Sequence, residues 1–436
     1  MVFMESIWTK TVNRPRFESL QEDAETDVLI IGGGMAGILC AEALRAAGIE
    51  CMLLEADKLC AGTTANTTAK ITYQHGLIYD KVLRKYGAER AALYFDAQRA
   101  AMEELKRLCK TIKCDFIECD NFVYSIRDRK KLERELRALE CLGADAFYSE
   151  KTPLPIETVG AVGVRAQAAF HPLKLLFALS KNLNVFENSK VTEFLDGGVR
   201  VGRYRVQAKK IIVATHFPIF NKHGAYFLKM YQHRSYVLAL ENTPLLNGMY
   251  VDEQKKGLSF RGYNGLLLLG GGSHRTGKQG GSFNELSAFA KEHYADAKIV
   301  CRWATQDCMT LDGIPYIGRY KSGTADVYVT TGFNKWGMTS SMLGAMLLTD
   351  LIAERKNPYM EVLSPQRRML HPQLFVNVAE SLVHLLKPTA PRCPHLGCAL
   401  QYNREEHSWD CACHGSRFKE NGELLNGPAT DDLKNI

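Results

Sequence analysis

TDVLIIGGGMAGILCAEALRAAGIECMLLEADK, Thr26–Lys58, decides how the front of the chain folds. Asp27 to Ile31 is a short apolar run, read as a buried parallel strand. Gly32, Gly34 and Gly37 follow in G-x-G-x-x-G spacing. Met35 to Ala47 has helical periodicity, and Ile49 to Leu54 reads as a second strand that ends in Glu55. Each part has a physical task. Gly32 permits a tight turn, Gly34 lets a pyrophosphate approach the backbone, and Gly37 lets the helix pack close to the strand. The helix N-terminus, at Met35 and Ala36, faces the phosphates. Glu55, followed by Ala56, lies about 20 residues beyond the glycines and is placed to bind ribose hydroxyls. A glycine-rich turn without a ligand is the alternative, but it would not need strand, glycines, helix, strand and acid in one register.

Working outward, the chain has 436 residues, too many for one ordinary core, so two or three domains are expected. Hydrophobic content of 46% and charged content of 24% fit a globular protein. The net charge is +7, but the basic residues are spread among 48 acids with no basic tail, so no nucleic-acid partner is expected. No run approaches the roughly 18 apolar residues of a membrane span. The opening MVFMESIWTKTVNRPRF has no apolar stretch of the kind a secretory signal needs. Cys40, Cys51, Cys60, Cys109, Cys114, Cys119, Cys141, Cys301 and Cys308 form no C-x-x-C pair and read as reduced thiols of a cytoplasmic protein.

Further elements specify the nucleotide. CAGTTANTTAKIT, Cys60–Thr72, is a small polar loop after the Glu55 strand. Lys210 to Ala214 is another strand, followed by THFP. Asp312 to Gly318 precedes the strand VYVTTGF and then the helix NKWGMTSSMLGAMLLTDLIAE. This order, over about residues 20 to 356, resembles the D-amino-acid oxidase family of flavoproteins, which includes glycine, sarcosine and D-amino-acid dehydrogenases. The resemblance implies an extended FAD whose ADP half is held by the glycine loop and Glu55. It brings the polar loop (Thr63, Thr64, Asn66, Thr67, Thr68, Lys70) and the Gly-Phe turn (Gly332, Lys335, Gly337, Met338, Thr339) toward the isoalloxazine. Val191 falls where the family contacts adenine, and Ala214 and Thr215 where the chain passes the pyrophosphate. Read without the resemblance, Thr63 to Thr68 are ordinary capping and turn hydroxyls, and Val191 is a core residue.

The sequence also departs from the family. Members acting on amino acids and sarcosine hold the carboxylate with an arginine three positions past the residue matching Lys70, and use a lysine in the Gly-Phe turn. Here Tyr73 and Thr339 stand there. The oxidases carry a lysine above the flavin, whereas the corresponding strand reads GLLLLGGGSH. These departures argue against an α-amino acid substrate and against a fast oxidase. Cys308 is expected to be a buried, inert thiol rather than a point of flavin attachment.

In the middle of the chain, Tyr86 to Lys110, Arg129 to Leu142, His171 to Lys181 and Asn284 to Lys298 read as helices, and Lys229 to Leu240 and Gly257 to Gly270 as strands. The expected fold is an α/β FAD-binding Rossmann-like domain interleaved with an α+β substrate domain. FAD-binding parts fall at 1–85, 150–220 and 300–356, a helical part of the substrate domain at 86–149, and its sheet at 221–299. A linker with a helix follows at 357–390. The substrate site is expected between the domains, over the flavin.

The second motif is CPHLGCALQYNREEHSWDCACHGS, Cys393–Ser416. Cys393-x-His395 and Cys411-x-x-His414 place two Cys and two His in paired loops, the ligand set of a Rieske [2Fe–2S] centre, with zinc as the structural alternative. The neighbouring residues resemble the high-potential Rieske proteins of cytochrome bc complexes. That resemblance implies a Cys398–Cys413 disulfide and a hydrogen bond from Ser416 to a cluster sulfur. Phe418 replaces the family's frequent tyrosine, which implies a lower potential. The segment 391–436 is expected to be a cluster-binding subdomain without its usual supporting strands, docked on the flavoprotein.

Taken together, the motifs predict an FAD- and [2Fe–2S]-dependent oxidoreductase. Its expected reaction is oxidation of a C–N bond of a small-molecule amine or amino acid. Electrons then pass through the cluster to a one-electron partner such as a ferredoxin or flavodoxin. Lys70, Tyr73, His216 and Lys335 are candidate catalytic residues from position alone. The alternatives are a reductase of an unsaturated organic acceptor, fed through the cluster, and a redox-sensing or electron-transfer flavoprotein without turnover.

Overall fold

The computed structural model describes residues 4–219, 224–254, 256–321, 326–388 and 391–434. The expected boundary at 220 and 221 lies outside them.

The apolar run that ends at Ile31 completes the strand Ala24–Ile31, central in an eight-stranded sheet. It pairs in parallel with Cys51–Leu54 on one side and Tyr204–Val213 on the other. Val327–Thr331 extends the parallel run, Tyr316–Arg319 closes that edge antiparallel, and Val185–Phe186 closes the other. An antiparallel arm, Val191–Leu195 with Gly198–Val201, hangs from Tyr204–Val213. Helices Met35–Ala46 and Gly337–Ile352 pack against each other beside this sheet. Because neighbours of Ala24–Ile31 leave in both directions, its C-terminal end is a switch point, where such sheets open a crevice.

A nine-stranded mixed sheet forms the second body. Its order runs Lys298–Thr310, Met230–Glu241, Leu266–Arg275, Ser259–Tyr263, Met249–Asp252, Ile117–Ser125, Gly160–Ala169 and Lys70–Ile71, with Ala146–Ser149 paired to Gly160–Ala169. Gly160–Ala169 and, from residue 300 on, Lys298–Thr310, allotted from sequence to the FAD-binding parts, hydrogen-bond in this sheet, and the helical part contributes two strands to it. The expected helix to Lys298 is corrected: it spans Phe283–His293, capped by Ser282, and Lys298 opens a strand thirteen residues long. The stretch Gly257 to Gly270 contains a hairpin that turns at Asn264 and Gly265, both at positive φ (46° and 78°). Asn-Gly is the residue pair such turns favour.

The long helix Tyr79–Thr111 begins before the expected Tyr86 and breaks at Gly87, where φ is 81°. Its first turn is capped from a distance. The Glu135 carboxylate accepts from Tyr79 N and Asp80 N, each at 2.9 Å. In the linker, Arg367 donates to both Asp312 oxygens, at 2.8 and 2.9 Å, tying it to the flavoprotein body. Helix Pro372–Leu386 then turns Asn377 and His384 inward and leaves Phe375, Leu382 and Leu386 exposed.

The tail corrects the expectation of loops without a frame. Leu400–Asn403, Ser408–Cys411, Arg417–Lys419 and Leu424–Asn426 form a four-stranded sheet beneath the ligand loops. Phe418 is fully buried in its small core with Cys393, Cys398, Cys411 and Cys413. Among the described residues no helix is long and apolar enough to cross a membrane.

Candidate active site and cluster centre

The crevice at the switch point is built as the glycine spacing requires. Gly32 has φ 111°, and a Cβ on it would lie 2.7 Å from the Ala214 carbonyl oxygen. A Cβ on Gly37 would lie 1.9 Å from the Gly32 carbonyl oxygen, so only glycine lets the helix approach its strand. Gly33 N donates to Glu55 Oε2 at 2.6 Å, and Asp57 N to Oε1 at 2.9 Å. Burial raises the Glu55 pKa, and these two backbone donors oppose the rise. Met35 N donates to Thr64 Oγ1 at 3.0 Å, joining the polar loop to the helix N-terminus.

Gly32, Gly34, Met35, Ala36, Glu55, Ala56, Thr63, Thr64, Val191, Ala214, Thr215, Gly337 and Met338 line this cleft. His216 lines it too, and its Nε2 is buried with no hydrogen-bond partner. Burial lowers the His216 pKa to about 4, so it is neutral at physiological pH. The helix N-terminus, the glycine cradle and the terminal carboxylate fit a dinucleotide. Gly37 acts behind the cleft, in helix packing. Gly332 and Thr339 are not lining residues. Gly332, at φ 71°, is a turn packed on Thr310, and Thr339 Oγ1 donates to Thr72 O at 2.8 Å. Cys308 is buried in the core, away from the cleft lining.

A second cavity of about 270 Å³ adjoins the cleft and shares Thr63, Gly337 and Met338 with it. Asn66, Thr67, Thr68, Lys70 and Lys335 line this cavity. Thr67 also serves locally, its Oγ1 accepting from Ala69 N at 2.9 Å. Desolvation and the nearby Arg261 lower the Lys70 pKa to about 7. Lys335 Nζ donates to Ser235 Oγ at 3.1 Å and to Ser273 Oγ. The GLLLLGGGSH strand has no lysine of its own, but through Ser273 it receives one from the Gly-Phe turn. Tyr73 is corrected: its ring packs edge-on to Phe95 at 5.2 Å in the core, and burial pushes its pKa up to about 12. It follows the strand Lys70–Ile71, and its side chain turns into the core although Gly76 just beyond it again lines the cavity.

Sequence reading missed Asp307, His233, Ser235 and Ser273 in this cavity. A signal was present. Thr305, Asp307 and Met309 alternate along one strand, and His233, Ser235 and Val237 along its neighbour, so each set shares a face. Desolvation raises the Asp307 pKa, opposed by the Lys335 charge.

The tail holds two matching loops. Gly397 N donates to Cys393 O, and Gly415 N to Cys411 O, each at 2.9 Å. Cys393 N donates to Cys398 O at 2.9 Å, and Cys411 N to Ser416 O at 2.8 Å. The loops bring the His395 and His414 rings to 5.0 Å between centroids, and the Cys393 and Cys411 thiols within hydrogen-bonding reach. Cys398 and Cys413 are joined by a disulfide. His414 Nδ1 is buried without a hydrogen-bond partner, while its ring bonds the Phe227 carbonyl on the other side. A buried nitrogen spared from hydrogen bonding, beside two facing thiols, fits an iron ligand set.

These loops press on the flavoprotein. Arg275 Nε donates to Ala412 O at 2.9 Å and Nη2 to Cys413 O at 2.7 Å. Gln232 Nε2 donates to His414 O and Gly427 O, both at 2.9 Å. Glu406 is buried between Arg234 and Arg417, which hold its carboxyl below the usual range against the cost of desolvation. Glu406→Ala leaves two buried guanidinium groups short of a partner, and is expected to cost about 3–5 kcal/mol. Denaturant unfolding of the full-length protein checks this.

Comparison with known proteins agrees with both halves. The FAD dependent oxidoreductase family matches residues 27–351, and the Rieske [2Fe-2S] domain matches residues 367–436, which takes in the linker helix as well. The Bacillus subtilis (strain 168) protein YhfW, described as a Rieske 2Fe-2S iron-sulfur protein, is 34% identical over 99% of this chain and 97% of its own. Gamma-glutamylputrescine oxidoreductase of Escherichia coli (strain K12) is 28% identical over 45% of this chain and half of its own. Among solved structures, glycine oxidase from Geobacillus kaustophilus superposes with a TM-score of 0.66 at 16% identity, covering 80% of this chain and 100% of that one.

Proposed function

We propose, because this chain belongs to the FAD dependent oxidoreductase family and carries a Rieske [2Fe-2S] domain, that it is a dehydrogenase acting on the C–N bond of an amine or amino acid. It passes the electrons to a one-electron carrier such as a ferredoxin or flavodoxin. The observation that carries the reading is the docking of the cluster loops. His414 is buried against Phe227 on the flavoprotein side, while His395 is only half-buried. One ligand loop thus faces the flavin-binding body and the other faces solvent, the arrangement a relay needs.

FAD supplies a two-electron acceptor, and the cluster a one-electron carrier. The chain's own part is to bind and deprotonate. The Asp307 carboxylate can accept a substrate ammonium, with Lys335 held beside it by Ser235 and Ser273. Lys70, neutral above about pH 7, takes the ammonium proton and leaves the free amine, the form from which a C–N bond is oxidised. The rate of flavin reduction is therefore expected to rise with pH through about 7. Lys70→Met should lower that rate by roughly 10²–10⁴ and flatten the profile. Stopped-flow reduction across the pH range measures both.

The test of the reading is anaerobic bleaching of the flavin against a panel of amines, amino acids and enoates, followed by EPR. Bleaching by an amine and then a reduced-cluster signal is the expected result. No bleaching by any amine or amino acid, with enoates reoxidising the reduced protein, would reverse the direction of electron flow.

A further inference from the structure

The cleft that fits FAD is not closed by the flavoprotein alone. Residues Leu424–Thr430, from the far end of the Rieske domain, form one of its walls. Two flavoprotein side chains pin this segment. Lys190 Nζ, next to Val191, donates to Thr430 O at 2.7 Å, and Gln232 Nε2 donates to Gly427 O at 2.9 Å. Between the pins, Ala429 N donates to Ser416 Oγ at 3.0 Å, so the wall is also bonded to the second ligand loop. Gln306 braces the arrangement, its Nε2 donating to Gln232 Oε1 at 2.7 Å and to Gly415 O at 2.8 Å. Pro428 and Ala429 are buried there.

We infer that the Rieske domain is a clamp on the FAD: Gly427–Thr430 belongs to the FAD-binding site, and the cofactor is retained because that domain is docked. A ligand in a cleft whose wall comes from a separate domain loses that wall's contacts, and leaves faster, whenever the domain undocks. The wall is held by hydrogen bonds to both bodies, and flavoprotein contacts outside the cleft hold the rest of its domain. Contacts that touch no part of the FAD therefore control its dissociation.

Arg275 makes the discriminating substitution, because it clamps Ala412 and Cys413 and does not line the cleft. In full-length Arg275→Ala, FAD release after dilution, followed by the fluorescence of freed flavin, is expected to be about tenfold faster or more. Tyr402→Phe, in the Rieske sheet but off the cleft lining, should release FAD at the wild-type rate. Hydrogen exchange on the wild-type chain, stripped of flavin and then reconstituted with FAD, gives a readout that needs no variant to fold. Amides of 424–430 should exchange more slowly once FAD is bound. Unchanged exchange in that segment, or wild-type release from Arg275→Ala, overturns the inference.

Discussion

His414→Ala is expected to eliminate the EPR signal of the reduced [2Fe–2S] cluster, with iron and sulfide lost in proportion. The loss should be complete rather than graded. Two imidazoles hold one iron of such a cluster, and removal of one leaves that metal with an open position in a buried site. His414 Nδ1 is buried without a hydrogen bond, and its ring is fixed by the Phe227 carbonyl. Alanine removes both the ligand atom and this anchor. Cys398 and Cys413, the other two thiols of the loops, are consumed in their disulfide. An unchanged EPR spectrum in this variant would refute the ligand assignment.

Gly37→Ala should yield protein purified essentially without FAD, with affinity lowered by a factor of at least about 100. The added methyl would sit 1.9 Å from the Gly32 carbonyl oxygen, which is backbone and cannot turn aside. Relief requires the helix Met35–Ala46 to slide off the strand Ala24–Ile31. That motion carries the helix N-terminus away from the phosphate position and strains the Gly32 turn, whose own φ is 111°. Overpacking of this kind costs about 1–3 kcal/mol even where side chains can yield. Visible absorbance of the purified protein, and reconstitution with added FAD, measure the effect. A fully flavinated variant would contradict it.

Much of this was legible because it is written in short-range pattern. Glycine spacing, the acid at the end of the next strand and the paired Cys and His loops are local. Their chemistry follows from backbone geometry within a few residues of each ligand. Gly32, Gly34, Glu55, Cys393, His395, Cys411 and His414 are candidates on that ground. What the sequence determined by itself was therefore the pair of cofactors and the general class of reaction.

Tertiary structure decided what depends on partners distant in the chain. Tyr79 opens a helix because Glu135 caps it from a separate helix. Tyr73 and Thr339, near the flavin by alignment, turn to the core and to Thr72, because burial and a backbone partner outweigh their place in a motif. Asp307 enters the cavity only because its strand pairs with Met230–Glu241, which sets the face on which it emerges. The wall at Leu424–Thr430 is the strongest case. Its residues are ordinary, and their place over the FAD cleft depends on how two domains dock. Docking is held by Arg275, Gln232, Lys190 and the buried Arg234–Glu406 pair, and no local spacing encodes contacts across 137 to 240 residues of chain.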